Sequence, residues 1–168
     1  ELGKRQKSRA ESALSSIIEL SDTALSELRT LVRTLDDNDV TWDGLAGELR
    51  SQGAQLTESV GASFAMQHMI DNSNRPQGLV VLALLRIFRE AVTNACKQAE
   101  VSQVRVALQV SDSALKLIVE NDGGTGERRQ GVSAQRGVNN MRSRAAEVGG
   151  RLELELGENA RLMFEAPL

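Results

Sequence analysis

Between Arg89 and Ala99, the residues Glu90, Asn94 and Lys97 stand at spacings of four and three, so on a helix they project from one face. An acid, an amide and an ammonium in line have a joint chemistry. The carboxylate can orient or deprotonate a hydroxyl or a water, the amide oxygen can ligate a hard cation such as Mg2+, and the ammonium can meet phosphate. Taken alone, the stripe reads more readily as a solvated helix face, because polar faces are common. Two segments further along the chain shift the balance towards chemistry. Asn121-Asp122-Gly123-Gly124-Thr125-Gly126 and then Gln135-Arg136-Gly137-Val138, the latter opening a helix, are two glycine-containing turns. Such turns leave backbone N–H groups free to approach phosphate, and a helix N-terminus adds the positive end of a dipole. In this order the pieces make a nucleotide-site constellation.

The elements that must position these residues are set by hydrophobic period and turn residues. Leu14, Ile18, Ser21, Leu25, Leu28, Val32 and Leu35 alternate spacings of four and three over a stretch without proline, a heptad seam on one long helix. Ile17, Ala24 and Leu31 widen that stripe, which has no partner in its own segment, so self-association with a second copy or with an upstream helix is expected. Asp36 to Asp39 should break this helix and cap a short one from Trp42 to Ser51, with an extended stretch from about Gln55 to Met66. Asn72 to Pro76 is turn-rich and leads into a second long helix, about Gly78 to Gln98, with Leu84, Phe88, Ala91, Val92 and Ala95 on its core face. The apolar run Leu79 to Leu85 reads as part of this buried helix. Val104, Val106, Leu108 and Val110 alternate, as do Leu115, Leu117 and Val119, predicting a hairpin that turns at Ser111-Asp112-Ser113. A charged, glycine-rich loop precedes a helix at about Gly137 to Val148, which stops at Gly149-Gly150. Strands at Arg151 to Leu156 and Ala160 to Ala166 complete an α+β fold, a two-layer α/β sandwich with a mixed, mostly antiparallel sheet and helices on one face.

Composition narrows the function classes. The chain has 168 residues, with 20 Lys and Arg against 23 Asp and Glu, a formal net charge of -3. That balance argues against direct nucleic-acid binding, which rests on neutralising phosphates with basic groups. Cys96 is the single cysteine, so there is no internal disulfide and no zinc-type cluster, and a reducing, cytoplasmic setting is expected. His68 is the single histidine, so no mechanism needing two imidazoles fits. No apolar run approaches the roughly 20 residues that span a bilayer. The chain opens at Glu1 without a methionine or signal pattern and reads as a piece of a longer protein.

The stretch Arg89-Glu90-Ala91-Val92-Thr93-Asn94-Ala95-Cys96-Lys97-Gln98-Ala99 resembles the N box of the GHKL ATPases, the family of histidine kinases, gyrase, Hsp90 and MutL. Gly137-Val138-Asn139-Asn140-Met141-Arg142-Ser143-Arg144-Ala145 and the closing Arg161-Leu162-Met163-Phe164-Glu165-Ala166-Pro167 narrow the likeness to sensor histidine kinases of the nitrate-sensor-like class, in which Leu28-Arg29-Thr30-Leu31-Val32 would end the dimerisation hairpin. The resemblance implies the GHKL (Bergerat) fold, with residues 1–38 as a dimerisation helix and 39–168 as the ATP-binding catalytic domain of a two-component protein histidine kinase. It implies ATP and Mg2+ as ligands, a homodimer completed by an upstream helix, a response regulator as phosphoryl acceptor, and a membrane contact only through an upstream sensor region. Residue by residue, Glu90 would position the accepting imidazole as acid/base, Asn94 would hold Mg2+, and Lys97 would contact the phosphates. Gln98, Asn121, Asp122, Gly123, Gly126, Arg136, Gly137 and Val138 would line the nucleotide.

The chain also departs from the family's pattern. His68 lies in an extended segment rather than a helical H box, so the phosphoacceptor is expected upstream of Glu1. Gln98 replaces a histidine and still donates a hydrogen bond. The adenine-reading acid has two candidates. Asp122 satisfies the family's D-x-G-x-G string, whereas strand parity with Leu115, Leu117 and Val119 turns Asn121 inward, and a bulge would reverse the choice. Gln135 stands where the family has a glycine, and Asn159-Ala160 replaces Gly-Thr, losing a hydroxyl. These changes keep open a second reading, a degenerate GHKL scaffold for dimerisation or regulator docking with little ATP turnover. A serine-directed GHKL kinase or anti-sigma factor fits less well, since those lack the long heptad helix.

Overall fold

A computed structural model describes residues 14, 21, 40–72, 74–98, 101–123, 132–157 and 159–168. The chain divides into two units, 1–39 and 40–168. In the first unit Leu14 and Ser21 are helical and exposed, and the rest of the expected heptad seam, with Asp36 to Asp39, lies outside the described residues.

The second unit opens with helix α1, Trp42–Glu58. Its N-cap is Thr41, whose side chain accepts from Gly44 N at 3.1 Å. The helix does not stop at Ser51: Trp42, Leu45, Ala46, Leu49, Gly53 and Thr57 keep a buried stripe at helical spacing across Gly53. Gly53 sits inside the helix, and the Phe64 ring occupies the space where a Cβ would sit. The extended segment therefore begins later than its residue types suggested, as strand β1 at Ser63–Asp71.

Helix α2, Gly78–Cys96, carries the core. Leu84, Phe88, Ala91, Val92 and Ala95 are all buried as their period requires, but Leu79 at the helix start is 71% exposed. The hairpin forms as β2 Gln103–Ser111 and β3 Ala114–Asn121, then come helix α3, Val132–Glu147, and strands β4 Arg151–Leu156 and β5 Ala160–Pro167. Helix α3 begins ahead of Gly137, so Gln135 to Val138 lie inside it instead of opening it. Its other end agrees with expectation: Gly149 takes φ +69° and Gly150 N donates to Ala145 O at 2.8 Å.

The sheet has five strands in the order β1-β2-β3-β5-β4, with β1 and β2 parallel and the other pairs antiparallel. This is the expected two-layer α+β sandwich. One sheet face, Val104, Val106, Leu108 and Val110 with Leu115, Leu117, Val119, Leu162 and Phe164, is buried under the helices. The other carries cross-strand charge pairs such as Arg161–Glu120 at 3.2 Å and Arg151–Glu165 at 3.0 Å, each contributing little in water. Among the described residues no helix is long and apolar enough to cross a membrane.

Candidate functional site

The amphipathic period of α2 that buries Phe88 and Val92 sets Glu90 and Asn94 half-buried on the helix flank. They are joined: Asn94 Nδ2 donates to Glu90 Oε1 at 3.3 Å. This leaves the Asn94 amide oxygen without a hydrogen bond among the described residues, the atom type a hard cation ligates. Lys97 is exposed at the C-cap of α2, and Gln98 comes next, half-buried, with its N–H on Ala95 O at 3.0 Å. Cys96 donates through Sγ to Leu56 O at 3.8 Å, and burial pushes its thiol pKa up, away from reactivity.

Helix α3 closes one side of this pair. Gly137, Met141 and Ala145 recur at helical spacing on its buried face, with Val138 half-buried beside them and Arg136 exposed. At Gly137 the helix comes so near α2 that a Cβ would lie 2.5 Å from Glu90 Oε1 and 3.4 Å from Asn94 Nδ2. The glycine is thus explained by the Glu90 carboxylate. The resemblance has Gly137 lining a nucleotide, and the contact seen at it joins two elements far apart in the chain. The helix dipole end expected at Gly137 falls instead at Val132, where α3 starts.

At the end of β3 the two candidate base-reading residues part company. Asn121 continues the inward parity of Leu115, Leu117 and Val119 and is 5% exposed. Its Nδ2 donates to Gly123 O at 3.4 Å, and its cross-strand neighbours are Val104 and Ala160. There is no bulge: Asn121 keeps its ladder position, and Asp122 turns to the surface. Asp122 Oδ1 accepts from Ser102 N at 2.9 Å and Gln103 N at 2.8 Å, and Oδ2 accepts from Ser102 Oγ at 2.5 Å. Ser102 and Gln103 are not singled out by their sequence, although a serine just before a strand is a common partner for a nearby carboxylate. Gly123 is buried beside Asn121, and Gly126 lies outside the described residues.

The three donors hold Asp122 well below the usual carboxylate range, from 3.8 to about 2, with the Ser102 hydroxyl the largest cause. A depressed folded-state pKa contributes stability above the ordinary value, lost as pH falls through the folded one. Between pH 3.8 and about 2 the chain will therefore lose stability more steeply than its Asp122→Asn variant. Urea unfolding midpoints taken across that window check this, and parallel curves would refute it.

His68 stands on β1, not on a helix. Its Nδ1 lies 3.2 Å from Arg50 Nη2 and its Nε2 lies 3.6 Å from Asp43 Oδ1, so its neighbours are surface groups of α1. No group of three or more His, Cys, Asp or Glu among the described residues could hold a metal. A divalent cation here would depend on Asn94 together with oxygens of a bound substrate.

The fold is that of histidine kinase catalytic domains. The histidine kinase domain of the Erythrobacter litoralis EL346 blue-light activated histidine kinase superposes with a TM-score of 0.60 at 18% identity, covering 86% of this chain and 72% of that one. Full-length ShkA in complex with AMPPNP gives 0.61 at 20% identity, over 94% of this chain and 38% of that one. By sequence, the chain is 28% identical over 154 residues to the sensor histidine kinase LnrJ of Bacillus subtilis (strain 168), covering 90% of this chain and 36% of LnrJ. It is 35% identical over 71 residues to the sensor histidine kinase LiaS of the same organism, covering 42% of this chain and 20% of LiaS. No family model matches. Fold and sequence likeness agree: the chain has the fold of histidine kinase catalytic domains and is similar in sequence to sensor histidine kinases, of whose length it spans about a fifth to a third.

Proposed function

We propose that residues 40–168 bind ATP and donate its γ-phosphoryl group to a histidine carried by another element of a two-component sensor kinase, for relay to a response regulator. The observation that carries this is the pairing of Glu90 and Asn94 under Gly137, in a fold shared with histidine kinase catalytic domains. The ATP-analogue complex of a protein with this fold supports the ligand, and the likeness to two sensor histidine kinases supports the reaction over a scaffold role.

In this reading the base enters at the end of β3 beside Asn121, and the phosphates run towards α2 and α3. Glu90, bonded by Asn94 and packed close under Gly137, orients the incoming imidazole and takes its proton as the phosphoryl group arrives. Lys97, exposed at the end of α2, meets the phosphate oxygens. Asn94 presents its free amide oxygen to Mg2+, which when bound would neutralise charge building on the bridging phosphate oxygens. Gln98, Gly123, Arg136, Gly137 and Val138 complete the wall, with Asn121 and not Asp122 reading the base, because the Asp122 carboxylate is already committed to Ser102 and Gln103. His68 is not the acceptor, since it stands on a strand among surface partners. Residues 1–38 serve dimerisation with a second copy, and the assembly acts in the cytoplasm.

Calorimetric titration with AMPPNP, with and without Mg2+, tests the reading. Saturable binding is expected, and Asn94→Ala should weaken the Mg2+-bound complex by about tenfold or more while removing its dependence on the metal. Absent saturable binding, or a Mg2+ effect that survives the substitution, would sink it.

A further inference from the structure

Among the described residues, the buried polar side chains are Thr57 and Asn121. Thr57 is fully occupied, donating to Gly53 O at 3.0 Å with Ala54 O at 3.1 Å. Asn121 is not. Among the described residues its amide has one hydrogen bond, at the long limit of 3.4 Å to Gly123 O, and the residues directly opposite it on both neighbouring strands, Val104 and Ala160, offer no side-chain donor or acceptor. Buried amides normally find several partners, so this one has capacity left for a ligand.

Its orientation is held only by that one long bond to Gly123 O. As placed, Nδ2 faces Gly123 O and Oδ1 remains to accept, which suits the exocyclic amine of adenine. Turning the amide by half a rotation gives up that weak bond, sets Oδ1 towards Gly123 O, and presents N–H to the base instead, which suits the O6 acceptor of a 6-oxopurine. A carboxylate at this position has only acceptors and would repel O6. A hydroxyl on the opposing strand could hold the amide in one sense, but Ala160 has none.

We infer that Asn121 makes the base pocket tolerant at the purine 6-position, so that inosine nucleotides are accepted alongside adenosine nucleotides. The inference rests on the reading that the base enters beside Asn121. ADP and IDP are suitable probes, because they differ only at the 6-substituent and the N1 proton. Calorimetry on the 168-residue chain with Mg2+ should give Kd values within about tenfold of each other. Asn121→Asp should widen the ratio to about a hundredfold or more against IDP, since a site whose buried polar groups mismatch the ligand rejects it strongly. A ratio already that large in the unaltered chain, or one that Asn121→Asp leaves unmoved, overturns the inference while ADP binding keeps the nucleotide reading intact. Binding of neither nucleotide overturns both.

Discussion

Replacing Gly137 by alanine will cut phosphoryl transfer by about a hundredfold and leave the fold as stable as before. The added Cβ would lie 2.5 Å from Glu90 Oε1 and 3.4 Å from Asn94 Nδ2. Both neighbours are ends of flexible side chains, so the backbone need not move. Glu90 can swing aside at a rotamer cost of about 0.5–1.5 kcal/mol. Alanine in place of glycine inside a helix offsets this by about 1 kcal/mol. Catalysis has no such slack. In the proposed function Glu90 is the general base, and a base displaced by about 1 Å forfeits about a hundredfold, with the bond that fixes it to Asn94 lost as well. The measurement is transfer from ATP to the acceptor histidine in the protein that carries one, beside a thermal melt. Glu90→Gln supplies the control, because it should match the loss without any added bulk. Unchanged transfer with a lowered melting temperature would mean that Gly137 serves packing alone.

The largest effect on stability is expected at Phe88. It is fully buried on α2 and is among the largest side chains with no exposure, at the centre of the layer between the helices and the sheet. Phe88→Ala removes most of a ring from a close-packed interior that relaxes only in part, which costs about 3–5 kcal/mol. Domains of this kind have a total stability of about 5–15 kcal/mol, so the variant approaches the edge of folding. The urea midpoint should fall sharply with an unchanged slope, because the surface exposed on unfolding stays nearly the same. A loss under about 1 kcal/mol would show that the site collapses around the gap. Phe88 lies on the same helix as Glu90 and Asn94, and the burial that stabilises the domain also holds that pair on its flank.

Much of this is readable from local pattern. The four-three spacing of Glu90, Asn94 and Lys97 and the apolar period of α2 both derive from helix geometry, and the structure pairs Glu90 with Asn94 and leaves Lys97 at the helix C-cap. The hairpin at Ser111 to Ala114 and the glycine stop after α3 are equally local, carried by turn and cap chemistry. The extended stretch expected at Gln55 is helical instead, for an identifiable reason. Gly53 looks like a breaker, but its missing side chain is the space that Phe64 fills, and Phe64 belongs to a different element. The start of α3 differs for the same kind of reason, since a glycine packed inside a helix has the same residue type as one that opens it.

The choice between Asn121 and Asp122 marks the boundary between the two kinds of information. Residue types and strand period determined that one of them faces the helices, that α2 bears an acid, an amide and a cation, and that the fold is α+β. These depend on neighbours within a few positions, where backbone geometry permits few outcomes. Tertiary packing settled the rest. Ser102 and Gln103, brought beside Asp122 by the pairing of β2 with β3, occupy its carboxylate. The ladder of β3 with β5 sets Ala160 opposite Asn121, and the crossing of α2 and α3 presses Gly137 onto Glu90. Such contacts join residues whose separation in the chain carries no period, so their partners are fixed by strand register and helix packing.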